Sequence, residues 1–320
     1  MVTGSVRSTF LVAALASVLG GCAVEQAGED TELASNELTT DVASTSDGNT
    51  GADRAGADDT GTDDTDGAGV DAAPATHGLA VSVHTTLGFP EDATPTDPEH
   101  ALIVKRQYVT SYDGSRKNPR WVSWELTQPW LGSADRSNSW SIDRDLATGI
   151  PQAVNSDFTN SGFQRGHLCP SADRTKNDAD NRSTFVFTNA VPQTAQSNSG
   201  TWLTLENEER SLARTGNNHV FVIAGTIYSG NVRRIGNGVH VPTSLFKVVV
   251  VMQGDHPRPS DVTPATRVIA VEVPNDTSVN GNYRRYLTSL EKLEQKTGFH
   301  FLSDADPAVH AALAPQVDSQ

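Results

Sequence analysis

A short run of residues in the middle of the chain combines side chains that could hydrolyse a phosphodiester. The run is Gln164-Arg165-Gly166-His167. If it is extended, Arg165 and His167 point to the same side, because side chains alternate along a strand. A neutral imidazole could then take a proton from water, while the neighbouring guanidinium keeps it deprotonated and stabilises a phosphorane-like transition state. Gly166 would leave space for another element to approach closely. Taken alone, a histidine in such a tripeptide is more often a hydrogen-bonded structural residue.

A second group of polar residues follows downstream. The segment 189–193, with the sequence Asn-Ala-Val-Pro-Gln, precedes Asn198, and a helix is predicted over about residues 201–214. At about 100° per residue, one stripe of this helix carries Trp202, Leu205, Glu209 and Leu212, and its flank carries Glu206 and Arg210. An amphipathic helix with a surface ion pair, capped by Asn198, explains these residues as well as a catalytic role does.

Taken together, the motifs resemble the DNA/RNA non-specific endonucleases of the ββα-metal superfamily, which includes endonuclease G. That family combines an Asp-Arg-Gly-His segment, an Asn-x-x-Pro-Gln segment, and a later Asn followed by a Trp-x-x-Leu-Glu helix. The matching positions here are 164–167, 189–193, Asn198 and 202–206. The similarity covers about residues 95–305. It implies an α+β fold in which a central antiparallel sheet is flanked by helices and carries a ββα-metal site.

The resemblance also implies a role for each matching residue. His167 matches the general base that activates the attacking water. Asn198 matches the protein ligand of a catalytic Mg²⁺, for which Mn²⁺ can substitute, and Glu206 matches the acid that holds metal-bound waters. The other matches are arginines that grip the phosphate or stabilise its transition state and an asparagine that supports the histidine, namely Arg136, Arg165, Arg210 and Asn189. The implied substrates are DNA and RNA, cut with little sequence preference.

One position departs from the family pattern. Gln164 stands where the family has Asp before Arg-Gly-His. Glutamine keeps a hydrogen-bonding end but lacks the charge, so we expect altered metal dependence or rate, with activity retained. In an unbroken helix from Asn198, Glu206 would lie about 12 Å further along the axis. Either Glu206 acts through water, or the helix begins after Asn198, which Gly200 would allow.

The elements that must position these residues are predicted from hydrophobic patterns. Apolar, β-branched runs predict strands at 101–111, 121–126, 185–187, 220–224, 246–252 and 267–273. A further helix is predicted at about 283–296, ending before Gly298. Residues 127–162 form a long irregular stretch, which in a compact domain usually has a functional reason. Strands and helices without regular βαβ alternation predict an α+β domain. Cys169, beside Pro170, is predicted to be a small buried thiol.

Charge and composition divide the chain into three parts. The 320 residues include 39 acidic and 24 basic side chains. Residues 23–78 hold 14 of the acids against Arg54 alone and contain no aromatic residue, which predicts a disordered acidic linker. Residues 79–320 hold 25 acids and 22 bases, so the predicted endonuclease domain has no strongly basic coat. Two cysteines exclude a disulfide framework and a Cys-rich zinc site.

Residues 1–22 have the pattern of a lipoprotein signal peptide. Arg7 precedes an apolar run, 10–19, that is too short to span a bilayer. The sequence Leu-Gly-Gly-Cys at 19–22 resembles the lipobox of bacterial lipoproteins, in which the cysteine is acylated; an ordinary cleavage site with a chance cysteine is the alternative. We therefore expect an exported protein, anchored to the membrane by lipid on Cys22 and facing the periplasm or the exterior.

Two other functions compete with this interpretation. A non-catalytic surface protein could keep the fold and bind nucleic acid or a protein partner, although the presence of His167, Asn198, Glu206 and Arg210 argues against it. A metal-dependent phosphodiesterase for small substrates would need a closed pocket, and it would cleave a model diester without cutting plasmid DNA.

Overall fold

The computed structural model describes residues 82–320. The predicted signal peptide, the predicted acidic linker and Cys22 lie outside the described residues, so what was expected of them stays a prediction. Between Ser82 and Gln320, no helix is both long and apolar enough to cross a membrane.

The domain is built on a seven-stranded sheet in the order β1-β2-β3-β6-β9-β10-β11. All of its neighbouring strands are antiparallel. The bounds are β1 Ala101–Val104, β2 Val109–Asp113, β3 Asn118–Leu126, β6 Asn218–Ile227, β9 Ser244–Gln253, β10 Arg267–Pro274 and β11 Leu287–Thr288. Two small ribbons lie outside this sheet, one made of β4 Gln164–His167 and β5 Ala190–Gln193, the other of β7 Arg234–Ile235 and β8 Val239–His240.

Five α-helices accompany the strands. They are α1 Asn155–Phe158, α2 Asp178–Arg182, α3 Leu203–Ala213, α4 Leu290–Thr297 and α5 Pro307–Leu313. A π-helical turn, Ser197–Trp202, leads directly into α3, and short 3₁₀ turns occupy Val83–Thr85, Gln128–Trp130, Ser171–Asp173, Phe187–Asn189, Pro259–Asp261 and Tyr283–Tyr286. The α4 helix ends at Gly298 in the left-handed conformation, with φ of 74°. A glycine adopts this conformation without the steric penalty of a Cβ, which explains the predicted end of the helix.

The central strands are apolar on both faces because each face is covered by helices. Along β6, Val220 and Val222 pack with the π turn and α3, whereas Phe221 and Ile223 pack with α4 and α5. The α3 face also buries Trp124, Trp202, Leu205 and Leu245, and the opposite face buries Phe246, Leu290, Leu293, Phe301 and Leu313. Alternation of side chains along a strand produces these two separate cores. The predicted α+β fold with a central antiparallel sheet flanked by helices is confirmed.

Three predicted elements differ from those observed. The strand predicted at 101–111 is a hairpin of β1 and β2, because the polar residues between them form a turn in which Lys105 N donates to Tyr108 O at 2.9 Å. The strand predicted at 185–187 is reduced to one bridge between Ser141 and Val186, followed by a 3₁₀ turn. The helix predicted at 283–296 is shorter, because β11 forms the sheet edge and the Ser289 side chain caps α4 by accepting from Lys292 N.

Candidate active site

The β4 strand presents Arg165 and His167, and it is extended, which was the condition for the two side chains to point to the same side. It pairs with β5 in an antiparallel register that places Gly166 opposite Val191. A Cβ built on Gly166 would lie 2.8 Å from Gln193 Cβ and even closer to Gln193 Oε1. Gln193 is fully buried, and its Nε2 donates to Ser197 Oγ at 3.0 Å. A glycine is therefore needed here, in agreement with the predicted close approach of a neighbouring element.

The His167 ring lies in an aromatic pocket. Its centroid is 4.6 Å from that of Trp140 and 4.7 Å from that of Phe185, and the residue is 6 % exposed. The Nε2 atom is buried without a hydrogen-bond partner in the described part of the chain. A buried polar atom in a native protein normally has a partner, so this nitrogen is the atom that a reacting water or substrate group would satisfy. Trp140 was not singled out from the sequence, because it lies in the irregular stretch 127–162.

The electrostatic surroundings keep His167 neutral. Burial, followed by the positive charge of Arg136, lowers the pKa of His167 to about 3. An imidazole with that pKa is unprotonated near neutral pH and can accept a proton. The sequence analysis expected the guanidinium of Arg165 to keep the imidazole neutral, whereas in the structure the charge that lowers the pKa of His167 is that of Arg136.

Arg136 comes from the irregular stretch, and its charge acts on the histidine. Its Nη1 donates to Ser171 Oγ at 2.7 Å, and its guanidinium lies 5.0 Å from the centre of the Phe185 ring. Burial lowers the pKa of Arg136, whereas the charge of Glu206 raises it. The structure thus brings Arg136, His167 and Glu206 into one electrostatic environment, although they are distant in sequence.

Arg165 is held differently. Its guanidinium lies 5.7 Å from the centre of the Phe158 ring, and burial lowers its pKa. The Nε atom is buried and has no hydrogen-bond partner among the described residues. An unused, partly desolvated donor is suited to an anion, because charge-assisted hydrogen bonds strengthen as water is excluded.

Asn189 lies in the framework that supports the site. It is fully buried, and its side chain brackets the backbone of Cys169: Oδ1 accepts from Cys169 N, and Nδ2 donates to Cys169 O, both at 2.9 Å. Asn189 O also accepts from Leu168 N at 3.0 Å. These bonds join the end of β4 to the start of β5, so Asn189 positions the segment that carries His167.

Asn198 lies in the π-helical turn and is partly buried. Its Nδ2 donates to Gln164 Oε1 at 2.9 Å, and Ser199 Oγ donates to the same oxygen at 3.3 Å. The amide nitrogen is therefore committed to Gln164, and Oδ1 is the atom left to bind a cation. Asn198 does not cap α3, because the helical segment runs through Gly200 into α3. Of the two alternatives for Glu206, the structure agrees with a helix that begins after Asn198, because α3 starts at Leu203 and the turn before it is π-helical.

Glu206 and Arg210 are neighbours on α3, but they are not a surface ion pair. Arg210 is 7 % exposed, and its Nη1 donates to Asp173 Oδ1 at 2.8 Å, whereas Glu206 Oε2 is 3.9 Å from the same nitrogen. Asp173 Oδ2 also accepts from Trp124 Nε1 at 3.0 Å. Burial opposes the positive charge on Arg210, but Asp173 and Glu206 raise its pKa overall. The guanidinium of Arg210 thus holds Asp173 inside the domain.

A second buried ion pair joins α3 to β9, and the sequence analysis did not predict it. Lys247 on β9 and Glu209 on α3 are both fully buried, with Nζ 3.0 Å from Oε1. The ammonium also lies 4.4 Å from the centre of the Trp202 ring. The stripe prediction placed Glu209 on the buried face, but nothing in the apolar run 244–252 revealed that Lys247 would be its partner.

The positive charges near Glu206 do not fully compensate for the burial of its carboxyl group. Burial raises its pKa to about 7, and Lys247 opposes this shift without cancelling it. Asp173 raises the pKa further, because a second carboxylate nearby disfavours ionisation. A bound divalent cation would supply the missing positive charge.

Cys169 is buried and free, as predicted. Burial raises the pKa of its thiol to about 12, so the thiolate needed for nucleophilic attack is not formed at neutral pH. Its contribution to the site is the backbone that Asn189 holds.

Comparisons with known proteins point to one family. The family model described as DNA/RNA non-specific endonuclease matches residues 88–308. A protein named nuclease from Nostoc sp. is 40 % identical over 243 residues, which cover 75 % of this chain and 88 % of that protein. Human mitochondrial endonuclease G is 28 % identical over 213 residues, covering 63 % of this chain and 69 % of that protein. The crystal structure of the EndoG/EndoGI complex superposes with a TM-score of 0.62 at 25 % identity, covering 72 % of this chain and 96 % of the other.

Proposed function

Because the chain belongs to the DNA/RNA non-specific endonuclease family, we propose that it is a Mg²⁺-dependent endonuclease that hydrolyses phosphodiester bonds in both DNA and RNA. The observation that carries the proposal is the neutral, unpartnered Nε2 of His167 in a site that also contains Arg136, Arg165 and Glu206. The products would carry 5′-phosphates, as the family resemblance implies.

His167 would act as the general base. Its Nε2 accepts a proton from the water that attacks phosphorus, and the low pKa keeps that nitrogen free of a proton before each turnover. Trp140 and Phe185 fix the plane of the ring, and Asn189 fixes the backbone on which it stands. An imidazole with so low a pKa is also a weaker base. The orientation of the attacking water must therefore contribute substantially to the rate.

The arginines would divide into two kinds. Arg165 and Arg136 present donors at the site, and they would hold phosphate oxygens and stabilise the charge that develops in the transition state. Arg210 is committed to Asp173, so it would act as a positioning residue that keeps α3 and the Ser171–Asp173 turn together.

The residues present fit a hard divalent cation. Asn198 offers an amide oxygen, and Glu206 offers a buried carboxylate whose raised pKa reflects a shortage of positive charge. Asn198 would be the direct protein ligand, and Glu206 would hold waters bound to the ion. When bound, the ion would polarise the scissile phosphate and stabilise the leaving oxygen. Mn²⁺, which takes similar oxygen ligands, would substitute.

The place of action is also part of the proposal. The sequence at 1–22 supports export, and Cys22 supports anchoring by lipid, with the endonuclease domain of residues 79–320 held from the membrane by the acidic linker 23–78. The acidic side chains of the linker would repel nucleic acid, so that substrate would bind at the active site and not along the linker.

The test is digestion of plasmid DNA and total RNA by the purified protein, with EDTA and after restoring Mg²⁺, compared with His167→Asn. We expect Mg²⁺-dependent cleavage of both substrates and a loss of about 10²- to 10⁴-fold in the variant. His256→Ala, at an exposed histidine, is the matched control and should cleave at the normal rate.

Other outcomes would contradict the proposal. Cleavage that survives in His167→Asn would show that another group is the base. Cleavage of a model diester without cutting of plasmid would favour a small-substrate phosphodiesterase. Binding of nucleic acid without cleavage in Mg²⁺ or Mn²⁺ would favour the non-catalytic surface protein.

A further inference from the structure

Three side chains near the C-terminus converge on one point outside the candidate active site. Glu294 lies on α4, His310 on α5, and His300 in the segment between the helices. Glu294 Oε1 is 3.2 Å from His300 Nδ1 and 2.9 Å from His310 Nε2, and the two imidazole rings are 4.4 Å apart. A donor atom from each of the three residues lies within 4.8 Å of the other two.

We propose that Glu294, His300 and His310 form a binding site for a divalent transition metal, with Zn²⁺ as the preferred ion. Two imidazole nitrogens and one carboxylate oxygen are a donor set that zinc accepts, with a water molecule in the fourth position. With metal–donor bonds of about 2.0–2.1 Å, neighbouring donors of a tetrahedral zinc site lie about 3.3–3.4 Å apart. The measured nitrogen–oxygen distances of 3.2 Å and 2.9 Å are shorter than this value by about half an ångström at most.

The surroundings hold the donors in place. Phe301 N donates to Glu294 Oε1 at 2.9 Å, which fixes the carboxylate in the way that outer hydrogen bonds orient metal ligands. The side chains of Glu294 and His310 are only 18 % and 13 % exposed, whereas that of His300 is 60 % exposed. Two donors are therefore anchored against the domain, and the third closes the site from the solvent side, where a water ligand can enter.

The position of the site indicates what the metal would do. The helices α4 and α5 cover the face of the sheet opposite α3, through core residues such as Leu293 and Leu313. A metal held by Glu294, His300 and His310 would link α4, the connecting segment and α5. Because it binds the folded state, it would stabilise this C-terminal unit by an amount that, above the Kd, grows with the logarithm of the free metal concentration. The proposed hydrolysis uses the other face, so the two metal sites are independent.

The experiment measures zinc binding and thermal unfolding of the metal-stripped full chain. Zinc uptake is determined by equilibrium dialysis with elemental analysis, in excess Mg²⁺ so that the Asn198–Glu206 site is occupied. We expect one Zn²⁺ per chain and a Tm that rises with zinc concentration. In His300→Ala the affinity for zinc should fall by at least about tenfold, with the zinc-free Tm unchanged because the side chain is largely exposed.

His256→Ala is the matched control, since it removes an exposed histidine elsewhere and should bind zinc as the parent does. A second variant, Glu294→Gln, keeps the size of the side chain and should also lose zinc. The proposal is overturned if the parent protein takes up no zinc at micromolar concentrations, or if His300→Ala and Glu294→Gln bind zinc as tightly as the parent. Because neither readout uses nucleolytic activity, the result does not depend on the proposed hydrolysis.

Discussion

The side chains of Gln164 and Asn198 are joined by a hydrogen bond, in which Asn198 Nδ2 donates to Gln164 Oε1 at 2.9 Å. One partner is the residue that departs from the family motif, and the other is the candidate metal ligand. The bond turns the amide oxygen of Asn198 away from Gln164, which leaves it free for a cation. Glutamine thus keeps the positioning contact at this site but contributes no charge to the cation.

Gln164→Glu tests this separation of contact and charge. The substitution preserves the length of the side chain and the acceptor for Asn198, and it adds a negative charge near the cation. Because Gln164 is exposed and solvent screens the charge, we expect the Mg²⁺ concentration at half-maximal activity to fall by only about 3- to 10-fold. A titration of cleavage activity with Mg²⁺ measures this half-maximal concentration. Gln164→Ala, which removes the contact without adding charge, should raise that concentration; if both variants behave alike, the contact is irrelevant.

Glu206→Gln should change the stability in a pH-dependent way. Burial raises the pKa of Glu206 to about 7 from an ordinary value of 4.5. The folded state therefore holds the proton more tightly than the unfolded state, and this stabilisation is complete below pH 4.5 and lost as the pH rises through 7. The variant should be no more stable than the parent at pH 4.5, and more stable at pH 8 by up to about 3 kcal/mol.

Urea unfolding in EDTA at several pH values measures this difference, and Glu208→Gln on the partly exposed side of the same helix is the control. Saturating Mg²⁺ should reduce the advantage of Glu206→Gln, since the cation stabilises the ionised carboxylate of the parent. A stability difference that is constant between pH 4.5 and pH 8 would contradict the assignment.

Arg210→Gln should mainly lower the stability of the domain, whereas Arg136→Gln should mainly lower its activity. Arg210 is paired with the fully buried Asp173, so its loss leaves a buried carboxylate without its cation and should cost about 3 kcal/mol. Arg136 is exposed over much of its side chain, so its loss should change stability by less than about 1 kcal/mol. Activity of Arg136→Gln should nevertheless fall about 10²-fold or more, because a donor to the transition state is lost.

The measurements are urea unfolding for stability and initial rates of plasmid cleavage for activity, both on the same preparations. Equal stabilities of the two variants would contradict the positioning role of Arg210. Normal activity in Arg136→Gln would remove Arg136 from the catalytic group.

Gly166→Ala should destabilise the β4–β5 ribbon. The new methyl group would meet the buried side chain of Gln193, which Ser197 holds in place, so we expect a loss of about 1–3 kcal/mol. Gly200→Ala is the matched control: its Cβ would meet nothing nearer than 4.0 Å, and it lies in a helical turn. There the substitution should leave stability unchanged or raise it by up to about 1 kcal/mol. Thermal unfolding of the two variants measures the difference, and equal Tm values would show that Gln193 can move aside.

Local patterns in the sequence were sufficient for several elements. Apolar, β-branched runs predicted the central strands at 121–126, 220–224, 246–252 and 267–273, and the 100° repeat predicted which face of α3 is buried, including Glu209. The α+β class followed from the order of strands and helices. These features depend on residues that are close in sequence, because the repeat of the backbone alone sets the direction of successive side chains along a helix or a strand.

Elements at the sheet edges could not be predicted equally well. The short strand β11 and the turn Tyr283–Tyr286 lie where a continuous helix was expected. Leu287 and Thr288 are extended because they pair with β10, and no pattern within those few residues indicates a partner strand. Tertiary pairing overrides local propensity in such short segments.

By itself, the sequence determined the family motifs, the central strands of the sheet and the amphipathic helix that carries Glu206. Only the tertiary structure decided which charges act together: Arg136 beside His167, Arg210 on Asp173, Lys247 on Glu209, and Gln164 on Asn198. The irregular stretch that supplies Arg136 and Trp140 has no periodicity from which its path could be predicted. Contacts between residues that are distant in sequence are set by the packing of the whole domain, and the electrostatic environment of the site depends on those contacts.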